Sequence, residues 1–362
     1  MTIDGIIWNK KTYEAAQLLE GALSGDRNDK NKLFEALSTS DLPAALVPAL
    51  NKKVLDAYMA EEVQWEAFAE REVADDFRPV SSAVYKFNSD GIPNVNGGVS
   101  YVDGTLPKIP ELGEYPVIGV DGSTGMWSVY KSGAKFSLSW ERIVNDRSLR
   151  EIERAVAHLA KMARNSEEVA ATSQFVTGGG INTATLTDGT GGSNDCTLAS
   201  NTALTAASLE AAFKQASGHK IDGVSIRMPA KVNLIVHSSN EFTARRILGY
   251  TEEVTATHRG PNVLAGKFNI VVNDWFAELG GANGATTWAI APAPGVVPNG
   301  GAAVGFLRGH ENPRFFVRST TNQNPEDGDF DLDAYETKIR HTAAPAWRGV
   351  NAGIVISNGS GS

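Results

Sequence analysis

The chain has 362 residues, with 33 Lys and Arg against 42 Asp and Glu, a net charge of −9 and 42% hydrophobic residues. That hydrophobic content excludes wholesale disorder, and the acidic balance argues against gripping nucleic acid over a broad surface, which needs clustered cations. The apolar runs, such as residues 289–297 interrupted by Pro292 and Pro294, fall far short of the ~20 residues that span a bilayer. The first residues, Met1-Thr2-Ile3-Asp4-Gly5, offer neither a basic nor an apolar leader segment, so no secretory signal is expected. Cys196 is the single cysteine, which allows no intramolecular disulfide and no cysteine metal cage and fits a reducing compartment. The high glycine content predicts many turns, bulges and long loops.

Residues 1–42 are polar and helix-prone. Tyr13, Gln17 and Leu18 suggest a short amphipathic helix and residues 30–37 another turn, neither long enough to stand alone. This reads as an arm that needs a surface to lie on. A stronger helix is expected after Pro43 and Pro48, over residues 50–68, where Val54, Leu55, Tyr58, Met59, Val63 and Trp65 fall mostly at helical spacing. Residues 77–141 turn β-like, with strands at 80–87, 115–120 and 126–140. In the last, Tyr130, Ala134, Phe136, Leu138 and Trp140 alternate with Lys131, Lys135 and Ser137. Residues 88–113, rich in Gly, Pro and Asn, cannot build a core. A long two-stranded excursion with an exposed tip follows, and a lone hairpin is marginal in water, so a partner surface is implied.

The clearest helix is predicted over residues 147–176, about 45 Å long. Leu149, Ile152, Val156, Leu159 and Ala163 form its apolar stripe. Arg150, Glu153, Arg154, Lys161, Arg164, Glu167 and Glu168 occupy its other faces, and Gly178-Gly179-Gly180 reads as its stop. Residues 178–204 read as an irregular boundary. Helices around Leu209–Ala216 and 241–248, with Ser239 as cap of the second, alternate with strands at 232–236, 268–272, 288–291, 303–307 and 314–318, and residues 335–356 read as two or three further strands. The class is α+β, with an α/β module over about 115 residues.

The search for chemistry is empty. The histidines His158, His219, His237, His258, His310 and His341 form no metal-ligating pattern. His158 reads as a helix-face residue and His237 as a polar strand end. No nucleophile elbow or phosphate loop appears, and the triple glycine follows a helix rather than a strand. Residues 322–333 are the sharpest acidic cluster, but glycine is misplaced for a calcium loop and the terminal Glu is missing. The cluster reads as a solvated loop or an intersubunit salt-bridge patch, since Asp329, Asp331 and Asp333 on one face would repel unless Arg or Lys from elsewhere meets them. Cys196 lacks an activating base, and Asn358-Gly359-Ser360 matches a glycosylation sequon by chance. No catalytic, cofactor-binding or metal-ligating residue is assigned and no cofactor is expected. The balance tilts to a structural or assembly role.

The order of these elements resembles a tailed-bacteriophage major capsid protein of the HK97 fold. Residues 1–42 resemble the N-terminal arm, 43–76 a helical lead into the peripheral (P) domain, and 77–141 the E-loop. Residues 142–204 resemble the P domain with its spine helix at 147–176, 205–312 the axial (A) domain, and 313–362 the return to the P domain, through Arg314-Phe315-Phe316-Val317-Arg318 and residues 329–348. The resemblance implies a non-catalytic subunit that self-assembles, as hexameric and pentameric capsomers, into an icosahedral shell around double-stranded phage DNA. It leaves open whether scaffolding, portal and decoration proteins are partners, and implies non-specific contact with packaged DNA, no membrane partner, assembly in the host bacterial cytoplasm and a final place in the virion. Some relatives cross-link an E-loop lysine to a distant asparagine. Lys86 and Lys108 lie in the matching region, but no asparagine is identified. An encapsulin-like compartment shell is the alternative.

Overall fold

The computed structural model describes residues 2–3, 6–7, 17, 42–88, 109, 111–113, 115, 119–139, 150–186, 196–221, 224–249, 252–254, 259–296, 301–317, 334–349 and 352–361. The expected turns of helix in the arm, the tip of the excursion and the acidic cluster at 322–333 lie outside these residues, apart from Gln17 and a few isolated positions. Two units result, neither continuous in sequence. The first comprises Met1–Val63, Tyr130–Glu167 and Leu307–Ala343; the second comprises Gln64–Val129, Glu168–Phe306 and Ala344–Ser362. Mixed helix and sheet place the protein in the α+β class.

In chain order the elements are β1 (Thr2–Ile3), β2 (Ile6–Ile7), α1 (Leu42–Ala60), β3 (Ala69–Ala74), β4 (Val80–Asn88), β5 (Gly119–Trp127), β6 (Ser132–Ser139), α2 (Arg150–Thr172), β7 (Val176–Thr177) and β8 (Gly180–Ile181). There follow α3 (Ala206–Gly218), β9 (Lys220–Ile221), β10 (Val224–Ser225), β11 (Val232–Val236), α4 (Ser238–Gly249), β12 (Glu252–Val254), β13 (Arg259–Pro261), β14 (Phe268–Val272) and α5 (Trp275–Leu279). The chain closes with β15 (Trp288–Ala291), β16 (Ala302–Leu307), β17 (Arg314–Val317), β18 (Ala334–His341), β19 (Ala343–Pro345) and β20 (Val355–Ser357).

The first unit is a three-stranded antiparallel sheet, β17–β18–β6, with α1 and the first part of α2 on one face. Alternation builds it. On β18, Thr337, Ile339 and His341 are buried while Lys338 between them is exposed, the period of two that places neighbours on opposite faces. Among the described residues no strand pairs with β17 on its outer side. Asn51 of α1 bonds to it instead: its Nδ2 donates to the Phe315 carbonyl at 3.0 Å and its Oδ1 accepts from the Phe315 N–H at 2.7 Å. A single side-chain amide thereby satisfies both backbone groups of Phe315 on that edge. The apolar stripe of α2 is buried at Val156, Leu159 and Ala163, each at most 5% exposed. Leu159→Asp should put an unpaired charge there and cost several kcal/mol, about 3 or more. An unchanged melting temperature would show that the stripe is not core.

The second unit is built on the sheet β14–β11–β15–β20, with β11 parallel to β14 and antiparallel to β15. All five residues of β11 are buried, as a strand covered on both faces requires. Leu209, Ala212 and Ala216 of α3 and Ala244 of α4 pack against Leu234, Val236, Trp288 and Ile290. Thr205 caps α3 in a reciprocal arrangement with Ser208. The three-stranded sheet β19–β16–β3 and the paired ribbon β4–β5 complete this unit, along with short hairpins.

Several boundaries differ from those expected. Helix α1 starts at Leu42 and ends at Ala60, not at 50 and 68. Pro43 sits in the first turn, where its missing N–H has no intrahelical partner, and Pro48 forfeits one bond without ending the helix. Trp65 and Phe68 belong to a separate 3-10 turn and its end, both buried. Helix α2 ends at Thr172, short of 176. Val176 starts a strand, and Gly178 and Gly179 form a two-residue hairpin turn, with Thr177 paired to Gly180, rather than a helix stop. The expected strand 126–140 is two strands, β5 and β6, in different sheets. Residues 313–362, read as one segment, divide after Ala343: β20 pairs with β15 in the second unit.

Candidate functional site

Two buried arrangements stand out, one in each unit. In the first, α1 contributes Tyr58, α2 contributes Arg164 and Glu167, and β18 contributes His341. Glu167 is fully buried and His341 is 3% exposed. The Tyr58 hydroxyl donates to Glu167 Oε1, His341 Nε2 lies 2.8 Å from the same oxygen, and Arg164 Nη1 lies 3.0 Å from Oε2. Arg164 Nε also donates to the Tyr58 carbonyl at 2.9 Å, its guanidinium lying 3.5 Å from the Tyr58 ring centroid. Burial opposes ionisation of Glu167 and is the largest influence on it. The His341 hydrogen bond and charge, the Tyr58 hydroxyl and Arg164 together outweigh burial and hold the carboxyl below its ordinary value of 4.5. The cluster therefore ties two helices and a strand of the first unit through one charged carboxylate.

The second arrangement seats the root of the β4–β5 ribbon, in which all nine residues of each strand are paired. A Cβ on Gly125 would lie 2.3 Å from Gly349 N and 2.4 Å from Arg348 C; a Cβ on Gly305 would lie 2.2 Å from the Trp127 ring. Both glycines are thus needed for close approach. Arg348 follows the same contact, its Nη1 2.6 Å from Glu70 Oε2 and 3.2 Å from Glu72 Oε1. Ribbon, β3 and the 348–349 backbone are locked at one place in the second unit. Met126 at 67% and Phe77 at 53% remain exposed in this unit.

The residues considered for chemistry fall as follows. His158 is exposed on α2, as a helix-face residue. His237 stands at the end of β11, with Nδ1 2.9 Å from Ser239 Oγ and Nε2 3.6 Å from Asp274 Oδ1. The three residue types of a hydrolytic triad are present, but the Ser239 hydroxyl donates to the Ala285 carbonyl at 2.7 Å, and His237 Nδ1 accepts the Ser239 backbone N–H at 3.1 Å. This is capping of the first turn of α4, and the serine proton is committed away from the imidazole. His219 is buried and its Nδ1 accepts the Gly353 N–H at 3.1 Å. Cys196 is fully buried. Asn358 Oδ1 accepts the Ser360 N–H at 2.9 Å, a local turn. Lys86 lies on β4, and Lys108 and His258 lie outside the described residues. Among the described residues no group of three His, Cys, Asp or Glu could hold a metal ion, and no helix is long and apolar enough to cross a membrane.

Sequence reasoning misplaced Glu167 and Glu168, expected on the outer faces of α2. Both are buried, Glu168 with its Oε1 accepting the N–H groups of Gln64 and Trp65 at 2.7 and 3.1 Å. The available signal was position: both stand in the last two turns, immediately before the buried Ala170 and Ala171.

No curated protein matches the chain. Among solved structures it is similar to the virus-like particle from Pyrococcus furiosus, at 10% identity and TM-score 0.45, over 85% of this chain and 97% of that one. It is also similar to that of Mycobacterium phage Patience, at 11% identity and TM-score 0.44, over 86% of each chain. A third is the holo-SrpI encapsulin complex from Synechococcus elongatus PCC 7942, at 7% identity and TM-score 0.42, over 80% and 85%. A family model described as phage capsid protein matches residues 124–353. Matched over well more than half of its length, the chain belongs to the phage capsid protein family.

Proposed function

We propose that this phage capsid protein is the major subunit of an icosahedral shell, assembled from hexameric and pentameric capsomers around double-stranded phage DNA. In this reading the β4–β5 ribbon serves as the E-loop of an HK97-like subunit, the first unit as the core of the P domain and the β11-containing unit as the A domain. Assembly takes place in the host cytoplasm, the finished shell belongs to the virion, and no catalytic residue is assigned.

The observation that carries this reading is the ribbon. Among the described residues its two strands pair with each other alone, and an isolated two-stranded hairpin is marginal in water. Yet its root is seated by glycine contacts that leave no room for a side chain. A rigidly held root with a self-paired ribbon is what a subunit needs to reach a neighbour.

Replacing residues 89–118 by an Asn-Gly turn tests it, since Asn88 pairs with Gly119 and a two-residue loop would close the ladder. The variant should fold with an unchanged circular dichroism spectrum and form no closed particles by electron microscopy. Normal shells from it would sink the assignment of the ribbon. Wild-type particles that never hold DNA would favour the encapsulin-like compartment.

A further inference from the structure

The face of the β17–β18–β6 sheet that carries Lys338 is basic although the chain is acidic. Lys135, Lys338 and Arg314 are exposed on it, and Arg340 and Phe316 are half-buried beside them. The register sets like charges directly opposite: Lys338 faces Lys135, and Arg340 faces Arg314. Opposed side chains lie ~5 Å apart, where like charges destabilise a sheet. One carboxylate of the described residues, Glu336, meets this face, and it pairs with Lys135. Arg314, Lys338 and Arg340 have no carboxylate partner among the described residues. The Lys338 and Arg340 cations stand 5.5 and 4.8 Å from the Phe316 ring centroid instead. Two repulsive cation pairs side by side are a standing cost that a bound anion would remove.

We propose that this face docks the acidic run 326–333 of a second copy of the chain. This rests on the shell reading, in which copies are neighbours. The run carries five carboxylates in eight residues, Glu326, Asp327, Asp329, Asp331 and Asp333. In the next densest acidic stretch, Glu70 and Glu72 are taken by Arg348 and Asp76 by Arg78. The charges are opposite in sign: three cations without a carboxylate partner among the described residues, Arg314, Lys338 and Arg340, face a run of five anions. In a shell the run of a neighbour is present at high effective concentration. A nucleic-acid phosphate chain has the same charge but would have to approach a chain whose net charge is −9.

The test exchanges the charges. A face variant carries Arg314→Glu, Lys338→Glu and Arg340→Glu; a run variant carries Asp327→Lys, Asp329→Lys, Asp331→Lys and Asp333→Lys. Sedimentation velocity and electron microscopy read the assembled fraction, and thermal melting checks folding. Each variant alone should lose assembly about tenfold or more, because it sets like charges against each other. Co-expressing the two should restore mixed hexamers, in which the two chains alternate and each supplies what the other lacks. Either variant assembling as wild type, or failure of the co-expressed pair to assemble, would overturn the proposal. A chain carrying both sets of changes should assemble as well, because each copy then complements its identical neighbours; its failure to assemble while melting as wild type would also overturn the proposal. Shells of the face variant that form normally but hold less DNA would assign the face to nucleic acid. A wild-type chain that never associates would sink the shell reading itself; wild-type shells with indifferent variants would sink this inference alone.

Discussion

Glu167→Gln should destabilise the protein by about 3–5 kcal/mol at neutral pH, the cost of removing one partner from a buried ionic cluster. The amide keeps the shape but leaves the largely buried Arg164 guanidinium without its counter-charge. The loss should depend on pH in a definite direction. The folded carboxyl titrates below its ordinary value of 4.5, so its contribution is fully present above that value. It disappears as pH falls through the lower, folded-state value. Wild type should therefore lose melting temperature on acidification below about 4.5, whereas the glutamine variant lacks this loss. The two melting curves should converge in acid. Parallel curves from pH 7 to pH 3 would show that Glu167 is not ionised in the folded protein. Tyr58→Phe, which removes one donor to the same oxygen, should cost less, about 1–3 kcal/mol.

The second large effect is expected at Gly125. A valine there places its Cβ against the Gly349 and Arg348 backbone, which cannot rotate away as a side chain could. Overpacking of this kind costs about 3 kcal/mol or more. The displacement should spread in two directions, releasing Arg348 from Glu70 and Glu72 and re-aiming the β4–β5 ribbon. Calorimetry should show a lowered melting temperature, and particle yield should fall further than stability alone explains. Gly218→Ala is the control, because a Cβ at the end of α3 meets nothing within 4 Å. Equal behaviour of the two variants would show that the ribbon root is not held at Gly125.

The two effects differ in how visible they were beforehand. The α2 stripe at Val156, Leu159 and Ala163 was legible because burial on one helix face repeats every three or four residues. Strands β11, β14 and β15 were found at their actual bounds because short, mostly apolar runs between turn signals, broken by Asn233 in β11 and Asn269 in β14, have few other uses. Helix α1 was placed too late because prolines were read as barriers, when an early proline is compatible with a first turn. The Glu167 cluster was not legible at all. Tyr58, Glu167 and His341 are separated by 109 and 174 residues; Tyr58 read as part of an apolar helix face and Glu167 as an outer-face residue, and nothing in the sequence joins them.

By itself the sequence determined the α+β class, the long amphipathic helix, the apolar strands, the paired excursion and the absence of a recognisable catalytic motif. Each depends on periodicity or composition within a few turns of chain, which local sterics and burial express directly. Only the tertiary structure decided which charges are buried, which glycines must be glycine and which strands share a sheet. Those outcomes depend on what arrives from elsewhere in the chain: His341 turns Glu167 from a solvent-facing acid into a hub, and Gly349 turns Gly125 from a flexible residue into a contact. The basic face of β17–β18–β6 has the same origin, since register alone sets Lys338 opposite Lys135 and Arg340 opposite Arg314.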